Sequence, residues 1–267
     1  MNASDFSEPF TPKGVAAFAR AKFNRLLLAQ SLFALLGGIA VAWSVHSLCY
    51  PVIQDAVENL PQDGKIQFGQ LNWTGGSPQT LAEGNFLALD VDLEHSGQFR
   101  STAEFQIEFG RESIRVFSLF GYVEFFYPLD GVLQLNRPEL QPLWEAWHSE
   151  ILFSIAAVTV ITLPLVWWLL ATLLFLPAWL VGYFANRDLD LRASWKLSCS
   201  ALLPGALLMI LGIVFYGLGF LTLVSFLFIF VAHLVLNLLY LISAIAFFPR
   251  TVSATPRGNP FRRNKKP

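Results

Sequence analysis

The sequence predicts an α+β membrane protein: a four-helix transmembrane bundle with a small extracytoplasmic antiparallel β-rich domain inserted between the first and second helices. Three observations carry this reading. Four apolar runs each reach the roughly 20 residues that a crossing helix needs. Charge is scarce, at 14% of residues with 54% hydrophobic, where ordinary soluble domains carry about 25% charged residues. The stretch between the first and second runs alternates apolar and polar residues with period two, the signature of half-buried strands.

Residues 1–25 read as a cytoplasmic amphipathic segment. The first span, 26–50, is too long for a signal-peptide core and lacks a small-residue cleavage site, so it reads as an uncleaved helix. Ala34, Gly38 and Ala42 recur every fourth residue along it, a spacing that lets another helix approach closely. The second span, 150–184, exceeds one straight crossing. Pro164 and Pro177 interrupt it, which predicts a kinked or tilted helix, with residues 169–184 as a candidate interfacial stretch. A cytoplasmic loop fills 185–196. The third span covers 197–217, the fourth 220–248, and a basic cytoplasmic tail fills 249–267.

Charge orients these spans. Thirteen of the eighteen Lys and Arg residues lie before the first span, between the second and third, or after the fourth. Residues 51–150 hold fifteen acidic residues and five basic ones. By the positive-inside rule both termini are cytoplasmic and residues 51–149 extracytoplasmic. Trp43, Tyr50, Trp144, Trp147, Trp179, Tyr183 and Trp195 stand at the expected boundaries, where amphipathic rings are favoured.

Within the outer domain, alternation predicts about five antiparallel strands, around 66–68, 87–93, 105–109, 114–120 and 132–135. Gly75-Gly76-Ser77-Pro78, Ser96-Gly97 and Asp130-Gly131 serve as turns, and a short helix from Pro138 leads into the second span. Asp90, Asp92 and Glu94 fall on one predicted strand face, and Glu104 and Glu108 join them if the two strands form a hairpin. That cluster reads as a solvated outer face, with a cation or basic-partner site as the alternative.

Chemical motifs are sparse. The two cysteines, Cys49 and Cys199, fall at opposite ends of spans and cannot pair within one chain. Glu145-x-x-His148 has the i,i+3 spacing of some carboxylate metal sites but lacks the further carboxylates those need. His95 is expected in a solvated turn. His233 and Asn237 share one face of the fourth span, where polar groups are costly. Gln30 and Ser31 are candidate partners for Asn237, and interhelical hydrogen bonding is the expected role. No P-loop, dinucleotide fingerprint, HExxH or Ser/His/Asp order is present. Asn72-Trp73-Thr74 is a glycosylation sequon that matters only in a eukaryotic secretory route. Arg262, Arg263, Lys265 and Lys266 would attract anionic lipid; nucleic acid is the less favoured partner. No catalytic residue, metal or cofactor is expected.

Phe10-Thr11-Pro12-Lys13, Leu60-Pro61 with Gly69, Phe109-Gly110-Arg111, and Trp195-Lys196 leading into Pro204 carry a resemblance. The chain resembles an uncharacterised bacterial family of multi-pass membrane proteins, a domain of unknown function. That family joins one helix, an outer β-rich domain and a C-terminal helical block. The resemblance implies this layout and no activity. The sequence therefore points first to a non-enzymatic membrane protein. Its outer domain binds a partner or ligand, and its helices couple that domain to a membrane-protein partner or a homo-oligomer. A transport or channel component using His233 and Asn237 is the second reading. An enzyme acting through the acidic face is the weakest.

Overall fold

The computed structural model describes residues 10–97 and 100–251. The tail expected to bind anionic lipid lies, from Val252 onward, outside the described residues. The fold is α+β. Four of its helices are long and apolar enough to cross a membrane: α2 (Phe23–Glu58), α3 (Arg137–Phe184), α4 (Leu191–Gly217) and α5 (Leu223–Ile245). They follow a short α1 (Pro12–Arg20). The chain divides into two compact units. One comprises Met1–Phe33, Leu163–Leu208 and Val231–Pro267, and the other Ala34–Thr162 and Met209–Phe230.

In the first unit, Thr11 caps α1 by accepting from the Gly14 N–H at 3.0 Å, ahead of Pro12. The amphipathic α1 does not present its apolar face to solvent. Val15, Ala16 and Ala19 are buried in a core with Leu197, Ala201, Leu241 and Ile245. Ser200 Oγ donates to the Val15 carbonyl, and Lys196 Nζ to the Ala21 carbonyl that ends the helix. On α4, Gly205 meets α5. A Cβ there would stand 2.8 Å from the His233 carbonyl and overlap the Asn237 amide.

The second unit holds the strands. Eight are formed among the described residues, in two sheets. The small sheet orders β2 (Gln70–Trp73), β1 (Gly64–Gln67) and β8 (Val132–Gln134). The larger runs β3 (Gln79–Glu83), β4 (Leu87–Val91), β5 (Phe105–Phe109), β6 (Ser113–Ser118), β7 (Gly121–Phe126). One face of it packs Leu87, Leu89, Val91, Ile107 and Ile114 onto Val52, Ala56 and Leu60, the outward extension of α2.

The expected all-antiparallel sheet needs correcting: β4 and β5 are parallel, with Asp90 opposite Glu108. The thirteen residues 92–104 do not turn a hairpin at Ser96-Gly97. They cross over, which is the length a parallel connection requires. The helix that carries the second apolar run begins before residue 150: α3 runs unbroken for 48 residues from Arg137, through Pro164 and Pro177. Helices tolerate internal prolines where neighbours relieve the freed backbone groups.

The small residues of α2 meet α3 in this unit. Ala34 and Gly38 are buried, and a Cβ on Gly38 would stand 2.5 Å from Val160 Cγ2 and 3.0 Å from the Ala156 carbonyl. A backbone oxygen cannot swing aside. Gly38→Val should therefore destabilise the protein by about 1–3 kcal/mol. A thermal melt in detergent reads this, and an unchanged midpoint would show that the helices separate without cost.

Candidate functional site

The parallel register of β4 and β5 places Asp90, Gln106 and Glu108 on the sheet face opposite the apolar core. Ser113, Arg115 and Glu124 extend that face onto β6 and β7. The crossover loop then carries His95 onto it. His95 has φ 50°, a left-handed backbone that is costly for a non-glycine residue and held only where the surroundings fix it. The ring lies against Gly110, where a Cβ would overlap it.

His95 Nδ1 stands 2.5 Å from Glu108 Oε1, and Nε2 stands 3.1 Å from Ser113 Oγ. Ser113 Oγ donates to Glu124 Oε1 at 2.7 Å, and Arg115 Nε donates to the same oxygen at 3.0 Å. A hydroxyl has one proton, and here Glu124 takes it. Ser113 Oγ must then accept from Nε2–H. The other ring nitrogen, Nδ1, faces the buried Glu108 carboxyl.

This is the connectivity of a Ser–His–Glu nucleophile relay, in the chain order His95, Glu108, Ser113. Sequence reading missed it, because the three residues meet only through the crossover. It is not built for attack. Ser113 is 3% exposed and its hydrogen points to Glu124, so no substrate carbonyl can reach it. The group serves to satisfy the buried Glu108, with His95, Arg115 and Glu124 partly open to solvent around it.

The acidic face expected to be solvated is thus largely buried. Asp90, Asp92 and Glu108 are each 2% exposed. Gln106 Nε2 donates to Asp90 Oδ2 at 2.9 Å. Burial raises the Asp90 pKa, and the hydrogen bonds from Thr80 and Gln106 offset this in part. Asp92 ends in the crossover and accepts from Ser96 Oγ and the Gly97 N–H. Burial alone would raise its pKa, but these bonds and those from the Glu94 and Ser96 backbone outweigh it, and the net shift is downward. Ser113 and Arg115 hold Glu124 below the ordinary carboxylate range. Glu94 stays on the surface, paired with Arg111.

Glu104 leaves the cluster altogether. It precedes β5 and accepts from the Tyr216 hydroxyl at the end of α4 and from the Leu223 N–H that opens α5, the latter at 2.5 Å. A carboxylate at a helix N-terminus is favoured by the helix dipole. Phe105, Phe86, Tyr216 and Phe226 stack in succession beside it. Next to Glu104 opens a crevice of about 510 Å³, lined by Arg100, Phe117, Leu119 and Tyr122 on one side and Thr222–Val224 on the other.

The intramembrane candidates do not form one cluster. Gln30 is fully buried and accepts from Trp168 Nε1 at 3.0 Å. It makes no hydrogen bond to Asn237, whose Oδ1 has no hydrogen-bond partner. The Asn237 side chain and the His233 backbone carbonyl lie instead against Gly205. Among the described residues, no group of three His, Cys, Asp or Glu side chains has metal-holding geometry. The features define a small β-rich domain clasped to apolar helices of membrane-spanning length. No family model matches the chain, and neither a curated protein nor a solved structure shows detectable similarity to it.

Two outcomes follow from the buried face. Asp90, with its raised pKa, contributes stability that is full below the ordinary carboxylate pKa and lost as pH rises through the folded value. Asp90→Asn should therefore match the wild type near pH 3 and melt higher at pH 7; a variant that melts lower at pH 7 would contradict this. Separately, His95→Leu leaves Glu108 buried without its partner and should cost about 3–5 kcal/mol. The double variant His95→Leu, Glu108→Leu should recover much of that loss in a denaturant titration, and no recovery would show that the pair is not coupled.

Proposed function

We propose that this chain is a multi-pass membrane protein of four spans. Its termini are cytoplasmic, its β-rich domain is extracytoplasmic, and that domain docks a partner without catalysing a reaction. Charge segregation along the sequence supports the orientation. The resemblance to an uncharacterised membrane family agrees with the layout and adds no activity. Glu104 supports the coupling, because it bonds the start of β5 to the turn between α4 and α5. The approach of the Asn237 side chain to Gly205 supports a role in helix association in preference to a solute path.

One observation carries the docking. β7 is one of the two edge strands of the larger sheet, and it is apolar on both faces. Tyr122, Val123, Phe125 and Phe126 are 56–75% exposed. Beyond it Leu129 is 74% exposed and Phe68 76% exposed, and Leu129 reaches the backbone of Gly69 beside Phe68. An unpaired backbone edge flanked by apolar side chains fits an extended apolar segment of a partner, added as a further strand.

A photo-crosslinking residue in place of Phe126, irradiated in native membranes, should give one discrete protein adduct. Its cross-linked peptide should be an extended apolar segment. Phe125→Lys, which blunts the edge, should remove the adduct while the protein's melting temperature stays within a few degrees. Scattered adducts, or one indifferent to Phe125→Lys, would defeat the docking reading.

A further inference from the structure

We propose that the β6–β7 hairpin tip and the crevice beside it seat the β-rich domain on the phospholipid headgroup layer, with Arg100 meeting the lipid phosphate. This inference rests on the membrane reading above and adds a lipid-binding surface to it.

The depth of the tip follows from α5. Its 23 residues, at 1.5 Å of rise each, span roughly 34 Å, close to the roughly 30 Å of a hydrocarbon core. Leu223, its first residue, therefore stands within a few ångströms of the core boundary. Leu223 and Val224 form one wall of the crevice, and Ser118, Leu119, Gly121 and Tyr122 of the hairpin belong to the other. The tip is fixed at that depth because Glu104, in the same lining, bonds the Leu223 N–H and the Tyr216 hydroxyl.

The tip is apolar where it arrives. Leu119 is 55% exposed and Phe120 82% exposed, and Phe220 on the α4–α5 turn is 74% exposed. Leu119 of the hairpin meets Leu223 and Val224 of α5 across one crevice, and the sides of that helix are themselves apolar and open. Leu and Phe at this depth gain by entering the boundary between headgroups and acyl chains.

Charge agrees with a phosphate beside it. The crevice acid Glu104 is occupied by its two donors. Glu83 nearby is occupied by Ser101 Oγ and the Thr102 N–H. Arg100 is exposed, with its guanidinium 4.1 Å over the Phe117 ring. That stacking braces the cation while leaving its donors for an anionic oxygen. The ligand class is accordingly a phospholipid, its phosphate at Arg100 and its acyl chain along Leu119, Leu223 and Val224.

The test uses the full chain in nanodiscs of phosphatidylcholine and phosphatidylglycerol. A benzophenone amino acid replaces Phe120, Phe228 or Leu129 in turn, and adducts are identified by mass. Phe228 is on α5 and 72% exposed, and it reports the membrane reading itself. Phospholipid adducts at 228 and 120 with none at 129 are the expected result. Lipid at 228 but none at 120 overturns the seat and leaves the membrane reading standing. A chain-to-chain adduct at 120 overturns it in favour of a second copy. No lipid at 228 defeats the membrane reading first. In the mixed disc the 120 adduct should be enriched in phosphatidylglycerol roughly fivefold, and Arg100→Glu should abolish that enrichment. Equal enrichment in the variant overturns the role of Arg100.

Discussion

Asp90 and Glu108 sit side by side on neighbouring parallel strands, out of solvent, and most of the β-rich unit is arranged around that fact. Like charges directly opposite on a sheet are destabilising, and burial sharpens the repulsion. The fold resolves it differently for each acid. Asp90 takes Gln106 and Thr80 and is biased toward its neutral form. Glu108 takes His95, which the crossover must deliver from above. The delivery fixes the left-handed turn at His95 and the absence of a side chain at Gly110. Where the crossover ends, the next acid, Glu104, finds its donors on the α4–α5 turn and not on the sheet. β5 and the residue before it thereby carry the tether Glu104, the core aromatic Phe105, the Asp90 partner Gln106 and the buried acid Glu108 within five residues.

The helices obey a different constraint. In the membrane proposed for them, there is little hydrophobic gain when apolar surfaces associate, so close packing must supply it. Glycine therefore marks each close approach. Gly38 admits Val160 and the Ala156 carbonyl, Gly205 admits Asn237, and Gly212 admits Ile229. The buried polar side chains follow the same geometry. Gln30 reaches the one indole donor placed beside it, and Ser44 Oγ donates to the Ile213 carbonyl at 3.1 Å.

Local pattern made much of this legible and stopped where residues meet across a crossover. Four apolar runs and period-two alternation are short-range signals, so the helices and strands such as β4 and β5 were readable. The orientation of β5 was not, because thirteen residues containing Ser96-Gly97 fit a loose hairpin as well as a crossover. With the hairpin went the side of the sheet. Alternation tells which residues share a face but not which face is covered, and Asp90 and Glu108 were therefore read as solvated. β2, β3 and β7 escaped for opposite reasons. The first two are short and interleaved with turn residues, while Gly121–Phe126 is so uniformly apolar that no alternation survives. Gly38 was visible as spacing, and Glu104 as a charge, but its bond to a helix 119 residues away was not.

The uniformity of β7 is itself informative. Soluble sheets protect a free edge with lysine, proline, a bulge or an inward charge. β7 has one charge, Glu124, and Arg115 and Ser113 hold it against the sheet face. It has neither Lys nor Pro within Gly121–Phe126. An edge of this kind, 20 Å or so in length, left open in an aqueous compartment would recruit any exposed strand. The strand has two ends with different surroundings. At the hairpin end, Leu119 and Phe120 stand beside the first turn of α5, where an apolar phase can cover them. At the far end, Phe126 is 75% exposed, and Leu129 and Phe68 are as open. A single cover does not suit both ends, which is why lipid is proposed for the hairpin end and another polypeptide for the far end.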